Sequence, residues 1–221
     1  NKIKIPVVVD NTFATPILQQ PLKLGATLSL TSTTKYINGH SDALGGAVCT
    51  ESSEWNKRLI FAQKALGLNP SPFDCWLITR GVKTLPLRLE RQVQNASEIA
   101  NQLAAHPLID VVLYPFRNDH PQSKLAKKQM VSGGAIVTAS LNANEKITYS
   151  FCKSLRFFKM AESLGGIESL ICHPATMTHA SVPRETKLKI GINDSLIRFS
   201  VGCEDIDDLI ADLNQAFEKI S

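Results

Sequence analysis

The sequence has no CxxC pair, no block of like charge, and no apolar run approaching the roughly 18 residues that a membrane-spanning helix needs. Each absence excludes something. The five cysteines, Cys49, Cys75, Cys152, Cys172 and Cys203, are odd in number and far apart. That spacing argues against a disulfide framework or a metal site, and for reduced, buried thiols in a cytoplasmic protein. Lys and Arg number 24 against 20 Asp and Glu, without clustering, whereas nucleic-acid or membrane-surface binding needs a concentrated basic patch. Charged residues are only 20% of the chain, with 12 glycines and 11 prolines, so neither disorder nor collagen-like order is expected. The opening residues do not read as a secretory signal. What is there is 221 residues with 43% apolar side chains, enough for a real core in one large domain or two small ones.

The chain enters a continuous apolar run, Val7-Val8-Val9, almost at once, and the run ends in Asp10. A β-branched run without alternation reads as a strand buried on both faces of a parallel sheet. Such a strand needs neighbours, so the expectation is a C-terminal piece of a longer protein. The other reading is an edge strand of a complete small domain. Leu28-Ser29-Leu30-Thr31 predicts a second strand, and residues 32–46, rich in Ser, Thr, Gly and Asn, predict a loop. Ser52-Ser53-Glu54 opens a helix that stops at Gly67, and the stretch from Ser71 to Ala105 is helical with interruptions at Gly81 and Pro86.

Beyond Ile109 short strands and helices alternate. Strands are predicted at Val111-Val112-Leu113-Tyr114, at residues 135–139 and at residues 196–201. Ile206, Leu209, Ile210, Leu213 and Phe217 share one face of a last helix, with acids at 204, 205, 207 and 208 placed in its first turn. The organisation predicted is the end of a parallel α/β domain over residues 1–86, then a smaller α+β domain over residues 87–221.

The chemistry concentrates in Ser32-Thr33-Thr34-Lys35-Tyr36, just after the second strand. Hydroxyls and backbone N–H groups at a strand end can bind a phosphate, and a lysine beside that phosphate can condense with a carbonyl cofactor. A solvated surface lysine is the plainer reading of Lys35. Asp10 lies at the carboxyl end of its strand, where open α/β sheets place their ligands. There it could hold a pyridine nitrogen protonated; a turn or capping Asp before Asn11-Thr12 fits the pattern equally.

Read together, several segments resemble one family. They are Asp10-Asn11-Thr12-Phe13-Ala14-Thr15-Pro16, Gln20-Pro21-Leu22-Lys23-Leu24-Gly25-Ala26 and Ser32-Thr33-Thr34-Lys35-Tyr36-Ile37-Asn38-Gly39-His40-Ser41-Asp42. Further on come Arg80-Gly81-Val82-Lys83-Thr84-Leu85, Ala161-Glu162-Ser163-Leu164-Gly165-Gly166 and Leu196-Ile197-Arg198-Phe199-Ser200-Val201-Gly202. In order and along essentially the whole chain, these resemble the pyridoxal-phosphate enzymes of cysteine and methionine metabolism.

The resemblance implies fold type I: the end of the large parallel-sheet domain followed by a small α+β domain. It implies pyridoxal phosphate as cofactor, with Lys35 as the lysine that binds it covalently and later moves protons on the substrate. Asp10 matches the partner of the pyridinium nitrogen, Ser32 and Thr34 match hydroxyls on the phosphate, and Thr12 matches a residue near the ring. Arg198 matches the arginine on the substrate α-carboxylate, a role suited to its planar fork; an internal salt bridge is the alternative from the residues themselves. Ser163 matches a residue beside that carboxylate and the lysine.

Glu162 matches an acid available to the distal ammonium of cystathionine, which implies γ-elimination, with γ-replacement by cysteine close behind. Methionine-cleaving members and many β-eliminating ones are similar but tend to have a small apolar residue there. The bland alternative is a solvated surface Glu. His40 and His179 are expected to be hydrogen-bonded structural groups, and Gly133-Gly134 a turn leading into a strand. The family's cofactor-stacking tyrosine, glycine-rich phosphate turn and the Tyr and Arg that reach a neighbouring subunit cannot be placed here. The implied partners are therefore a sulfur amino acid, an N-terminal half or companion chain, and further copies in a homotetramer, with no nucleic acid or membrane.

Overall fold

The computed structural model describes residues 5–220. Strand β1 (Val8–Asp10) is followed by a short helix α1 (Thr15–Leu18), and β1 pairs in parallel with β2 (Leu28–Ser32), Val8 opposite Leu28. β3 (Gly46–Cys49) pairs antiparallel on the other side of β2. Burial on both faces, expected for the first strand, is not found: Val8 is 56% exposed. The physical reason is position, since β1 stands at one edge of this three-stranded sheet and β2 is its only paired neighbour among the described residues. Residues 32–46 are only in part a loop. Thr33–Ile37 form a wide helical turn, and β3 begins at Gly46.

Helix α2 (Ser53–Leu66) starts where expected. Ser52 Oγ accepts the Trp55 N–H at 3.3 Å, and Gly67 ends the helix at φ +67°, a conformation that glycine adopts without steric cost. The next helical stretch is two helices, α3 (Pro72–Val82) and α4 (Leu85–Ala105), with Pro86 in the first turn of the second. A proline is tolerated there because that N–H has no partner within the helix. Two of the cysteines depart from the expectation of buried thiols. Cys49 and Cys75 are exposed, because β3 is the other edge of its sheet and α3 buries only Gly81.

The rest of the chain builds a second sheet. β4 (Ile109–Leu113) is followed by α5 (Ser123–Gln129), β5 (Ile136–Leu141), α6 (Glu145–Ser154), β6 (Lys159–Met160), β7 (Leu170–Cys172), α7 (Arg184–Lys189), β8 (Leu196–Ser200) and α8 (Ile206–Glu218). The strand order is β4-β5-β8-β7-β6, antiparallel except for the β6/β7 pair. Val137, Ala139, Ile197, Phe199 and Ile171 from its strands are fully buried in one core with Leu89, Ile99, Leu209 and Phe217 from α4 and α8. Phe158 meets the Phe199 ring edge-on at 5.3 Å, and removing either ring would cost about 3–5 kcal/mol.

At the head of α8, Asp205 is the cap and accepts the Asp207 N–H at 3.0 Å. Glu204 is not in the first turn: its carboxylate takes the N–H and hydroxyl of Ser169 instead. Further along, Asp212 is 3% exposed and accepts the N–H groups of Arg156, Phe157 and Phe158 at 2.7–3.3 Å. That contact ties the chain between α6 and β6 to the last helix.

Candidate active site

The carboxyl ends of β1 and β2 are joined by side chains. Asp10 Oδ1 accepts the Thr12 N–H at 3.0 Å, which folds the chain back, and Thr12 Oγ1 then accepts the Ser32 N–H at 2.8 Å. Asn11 continues the ladder by donating to the Leu30 carbonyl at 2.7 Å. Thr15 closes this turn at φ +58° although it is β-branched and fully buried. A residue of that kind is strained there by about 1–3 kcal/mol, so the turn presenting Asp10 and Thr12 is held by its surroundings.

Lys35 lies inside the turn after β2, where the backbone leaves helical geometry (φ −89°, ψ −130°). Its Nζ donates to Ser163 Oγ at 3.3 Å. A cavity of about 740 Å³ is lined by Asp10, Thr12, Ser32 and Lys35 together with His120, Met130 and the Gly133–Gly134 turn. That volume lies in the range of small-molecule sites. Asp10 is exposed, Thr12 buried, and Ser32 and Lys35 half-buried. Thr34 does not line the cavity; its hydroxyl donates to the Gly45 carbonyl at 3.3 Å and accepts the Gly45 N–H at 3.0 Å.

The remaining sequence-derived residues gather beside this cavity. Arg198 lies in β8 opposite Thr138, a lining residue, and its Nη2 donates to the carbonyls of Glu162 (2.8 Å) and Ser163 (3.1 Å). It makes no ion pair among the described residues. Its Nε is buried and has no hydrogen-bond partner there, a cost that an incoming anion would relieve. Ser163 thus meets Lys35 through its hydroxyl and Arg198 through its carbonyl. The Glu162 side chain is exposed.

The segment carrying Ser163 closes tightly on the lysine turn. Gly165 adopts φ +80° and donates its N–H to Ser200 Oγ at 2.9 Å; a Cβ at Gly165 would stand 2.8 Å from the Tyr36 nitrogen. Tyr36 is fully buried, and burial pushes its phenol well above the ordinary range, with the Ser200 hydroxyl and the Arg198 charge acting in the opposite direction. His40 and His179 are hydrogen-bonded locally, His40 Nδ1 to the Asn38 carbonyl (2.6 Å) and His179 Nδ1 to the Thr178 hydroxyl (2.8 Å). Gly133-Gly134 leads into β5 as expected and also forms cavity wall. Among the lining residues that sequence reasoning missed are His120 and Met130, since a lone His before a proline and a Met after a helix carry no pattern.

Three comparisons bear on this arrangement. The family described as Cys/Met metabolism PLP-dependent enzyme matches residues 1–218. Cystathionine gamma-lyase of Dictyostelium discoideum is 49% identical over 213 residues, 96% of this chain and 55% of that protein. Cystathionine beta-lyase of Lactococcus lactis subsp. cremoris (strain MG1363) is 49% identical over 212 residues, 96% of this chain and 56% of that protein. The crystal structure of cystathionine gamma synthase from Xanthomonas oryzae pv. oryzae in complex with aminoacrylate and cysteine superimposes with a TM-score of 0.96 at 45% identity, covering 99% of this chain and 57% of that one. This chain therefore spans a little over half the length of the curated relatives it matches. The relatives carry the names of three different activities while the identities are nearly equal, so likeness fixes the family without fixing the reaction. With the match running through residues 1–218 and a backbone that follows a solved member closely, the chain belongs to the family of pyridoxal-phosphate-dependent enzymes of Cys/Met metabolism.

Proposed function

We propose that this chain carries the lysine, the ring-nitrogen acid and the carboxylate-binding arginine of an enzyme that eliminates the γ-substituent of L-cystathionine. With water, the products are cysteine, 2-oxobutanoate and ammonia. The residues present fit pyridoxal phosphate: an amine, a strand-end carboxylate and a hydroxyl face one cavity of about 740 Å³, and a buried guanidinium nitrogen beside it lacks a partner. When bound, that cofactor supplies a sink for the electrons released at the substrate α-carbon.

The chain's own residues do the rest. Lys35 Nζ takes the proton from the substrate α-carbon and delivers protons further along, with Ser163 Oγ at 3.3 Å orienting the amine. Asp10 would hold a proton at the ring nitrogen of the bound cofactor, and Thr12, tied to the Ser32 N–H, fixes the two strand ends that carry the acid and the hydroxyl. Ser32 and Thr34 would hold the cofactor phosphate; the Thr34 hydroxyl here is bonded to Gly45. Arg198 binds the α-carboxylate, its Nη2 already fixed on the carbonyls of residues 162 and 163.

The observation that carries the choice of substrate is the exposed Glu162 carboxylate one residue from Ser163, whose own backbone accepts from Arg198. A substrate clamped through its α-carboxylate and bearing a second ammonium has a partner there. The likeness to the Xanthomonas γ-synthase supports a second reading, γ-replacement of an O-acylhomoserine by cysteine, which uses the same residues. We also infer the division at residues 86/87 into the end of the large domain and a small one, together with a homotetrameric assembly completed by an N-terminal half or companion chain. The test is product analysis on the native protein. Cystathionine should yield 2-oxobutanoate and cysteine; pyruvate and homocysteine would mean β-elimination, and cystathionine formed from O-acylhomoserine and cysteine would support the second reading.

A further inference from the structure

Three buried polar side chains stand in a row on α4. Arg88, Gln92 and Asn95 are 7%, 0% and 1% exposed, and their spacing puts them on one helix face. An inward-facing row of this kind is usually apolar. Here each member donates to backbone carbonyls of a segment remote in sequence. Arg88 Nη1 reaches the Tyr36 carbonyl at 3.0 Å, and its Nη2 reaches those of Ile37 (3.2 Å) and Gly81 (2.9 Å), while Nε is held by Thr84 Oγ1 at 3.1 Å. Gln92 Nε2 donates to the Gly166 carbonyl at 2.6 Å. Asn95 Nδ2 donates to the carbonyls of Gly202 (3.1 Å) and Glu204 (2.9 Å).

The segments so held are the ones that carry the site. Residues 36 and 37 follow Lys35 directly, residue 166 ends the segment that begins with Glu162 and Ser163, and residue 202 follows the strand of Arg198 and Ser200. The approach of Arg88 leaves no room for a side chain at Gly39, where a Cβ would lie 2.0 Å from Nη1. Burial lowers the pKa of Arg88 from its ordinary value, and no carboxylate pairs with it among the described residues. A buried cation or amide contributes less to stability than a well-packed apolar residue of the same size. What it supplies is a fixed geometry.

We propose that Arg88, Gln92 and Asn95 are positioning residues: the ladder on α4 sets the distances among Lys35, Ser163 and Arg198. The proposal rests on the roles given to those three residues above. Without the Gln92 donor the Gly166 carbonyl is left buried and unpartnered, the segment from Glu162 to Gly166 relaxes, and the Ser163–Lys35 contact lengthens. Both the amine and the arginine whose Nη2 rests on residues 162 and 163 then lose alignment. Misplacement on this scale lowers turnover by about 10- to 100-fold.

The test compares Gln92→Met in the native holoenzyme with Gln215→Met. Gln215 is also an amide donor to backbone, reaching the Ser154 carbonyl at 2.8 Å, but it stands on α8 and does not line the cavity. Gln92→Met is expected to move the pH at which the lysine-bound cofactor changes absorbance, and to lower kcat/KM at least tenfold with a fall in kcat itself. Its melting temperature should drop no more than that of Gln215→Met, which should keep both the absorbance profile and kcat. Arg88→Lys is the second variant should Gln92→Met fail to fold: an ammonium has its donors on a single nitrogen and cannot span the Thr84 hydroxyl and three carbonyls that the guanidinium reaches from three nitrogens, so the same shift in the absorbance profile is expected. A Gln92→Met or Arg88→Lys protein with an unaltered absorbance profile and kcat overturns the proposal. The absorbance profile needs no substrate, so failure of the cystathionine reading, seen as no turnover by the unmodified enzyme, is distinguished from failure of the ladder.

Discussion

Ser163 Oγ receives a hydrogen bond from Lys35 Nζ at 3.3 Å across 128 residues of sequence, and the same serine's carbonyl accepts from Arg198. One residue therefore links the amine proposed to handle protons to the guanidinium proposed to hold the substrate. The contact to Lys35 spans the two sheets and would not survive their independent movement, whereas Arg198 lies in the same sheet as the segment that carries Ser163. Fixing their separation is a requirement of the chemistry, because a proton is transferred only within hydrogen-bond reach.

Lys35 is expected to be the lysine that borohydride fixes to the cofactor. Peptide mapping after reduction should find the adduct on the peptide containing Lys35, and not on those containing Lys23 or Lys83. Lys35→Ala should lose turnover while keeping non-covalent cofactor through Asp10, Ser32 and Thr34. An adduct at another lysine would end the assignment.

Arg198→Lys should weaken substrate binding more than it disturbs the fold, because a single ammonium cannot both hold the carbonyls that Nη2 serves and meet a carboxylate with a separate nitrogen. The expected loss in kcat/KM is about 2–3 kcal/mol, the worth of a charge-assisted hydrogen bond. Steady-state kinetics with the native protein measures it. Unchanged kinetics would mean that the α-carboxylate binds elsewhere.

The elements legible in the sequence were those with strong local chemistry. The helix between Ser52 and Gly67 has a hydroxyl cap and a left-handed glycine stop, and the last helix has its apolar stripe. What escaped was set by tertiary contacts. β7 (Leu170–Cys172) is only three residues long and draws its identity from pairing with β8. The destination of Glu204 depends on Ser169, which no local pattern places beside it. Lys35 and Asp10 were recognisable through long motifs, and spacing alone left both open. The α4 ladder was illegible for a further reason: Arg88, Gln92 and Asn95 read as surface residues in any propensity scale, and only the carbonyls they meet explain their burial.

Alkaline pH should destabilise the folded chain. Burial pushes the Cys152 thiol from 9.0 up to about 12, and the Tyr114 phenol from 10.0 up to about 12. Each group stays protonated in the folded state while the unfolded chain ionises. Its contribution is fully present below the unfolded value and is lost as pH rises through the folded one. Between pH 9 and about 12 the stability should thus fall by up to ~1.4 kcal/mol per pH unit for each titrating group. Urea unfolding at several pH values measures the slope. Cys152→Ala should flatten it even though its stability at neutral pH is lower, and an equal slope in the variant would show that Cys152 is not a source.

The proposed function makes Glu162 the residue that decides which substrate the site prefers. Its backbone is anchored, since the carbonyl accepts from Arg198 at 2.8 Å, while its carboxylate is exposed and has no ion-pair partner among the described residues. An anion so placed costs little while it is hydrated. When a substrate fills the site and displaces water, it gains if a distal ammonium arrives and loses if a methyl thioether does, because a desolvated carboxylate without a partner is costly. Glu162→Val should therefore act in opposite directions on two substrates. Turnover of L-cystathionine is expected to fall about tenfold, equivalent to ~1.4 kcal/mol, and turnover of L-methionine to hold or improve. Stability should hardly change, as expected for an exposed side chain. The measurement is kcat/KM for both amino acids on the same preparation, so that differences in cofactor loading cancel in the ratio. If both substrates respond alike, Glu162 does not read the distal group, and the preference for cystathionine must come from residues outside the segment that holds Ser163.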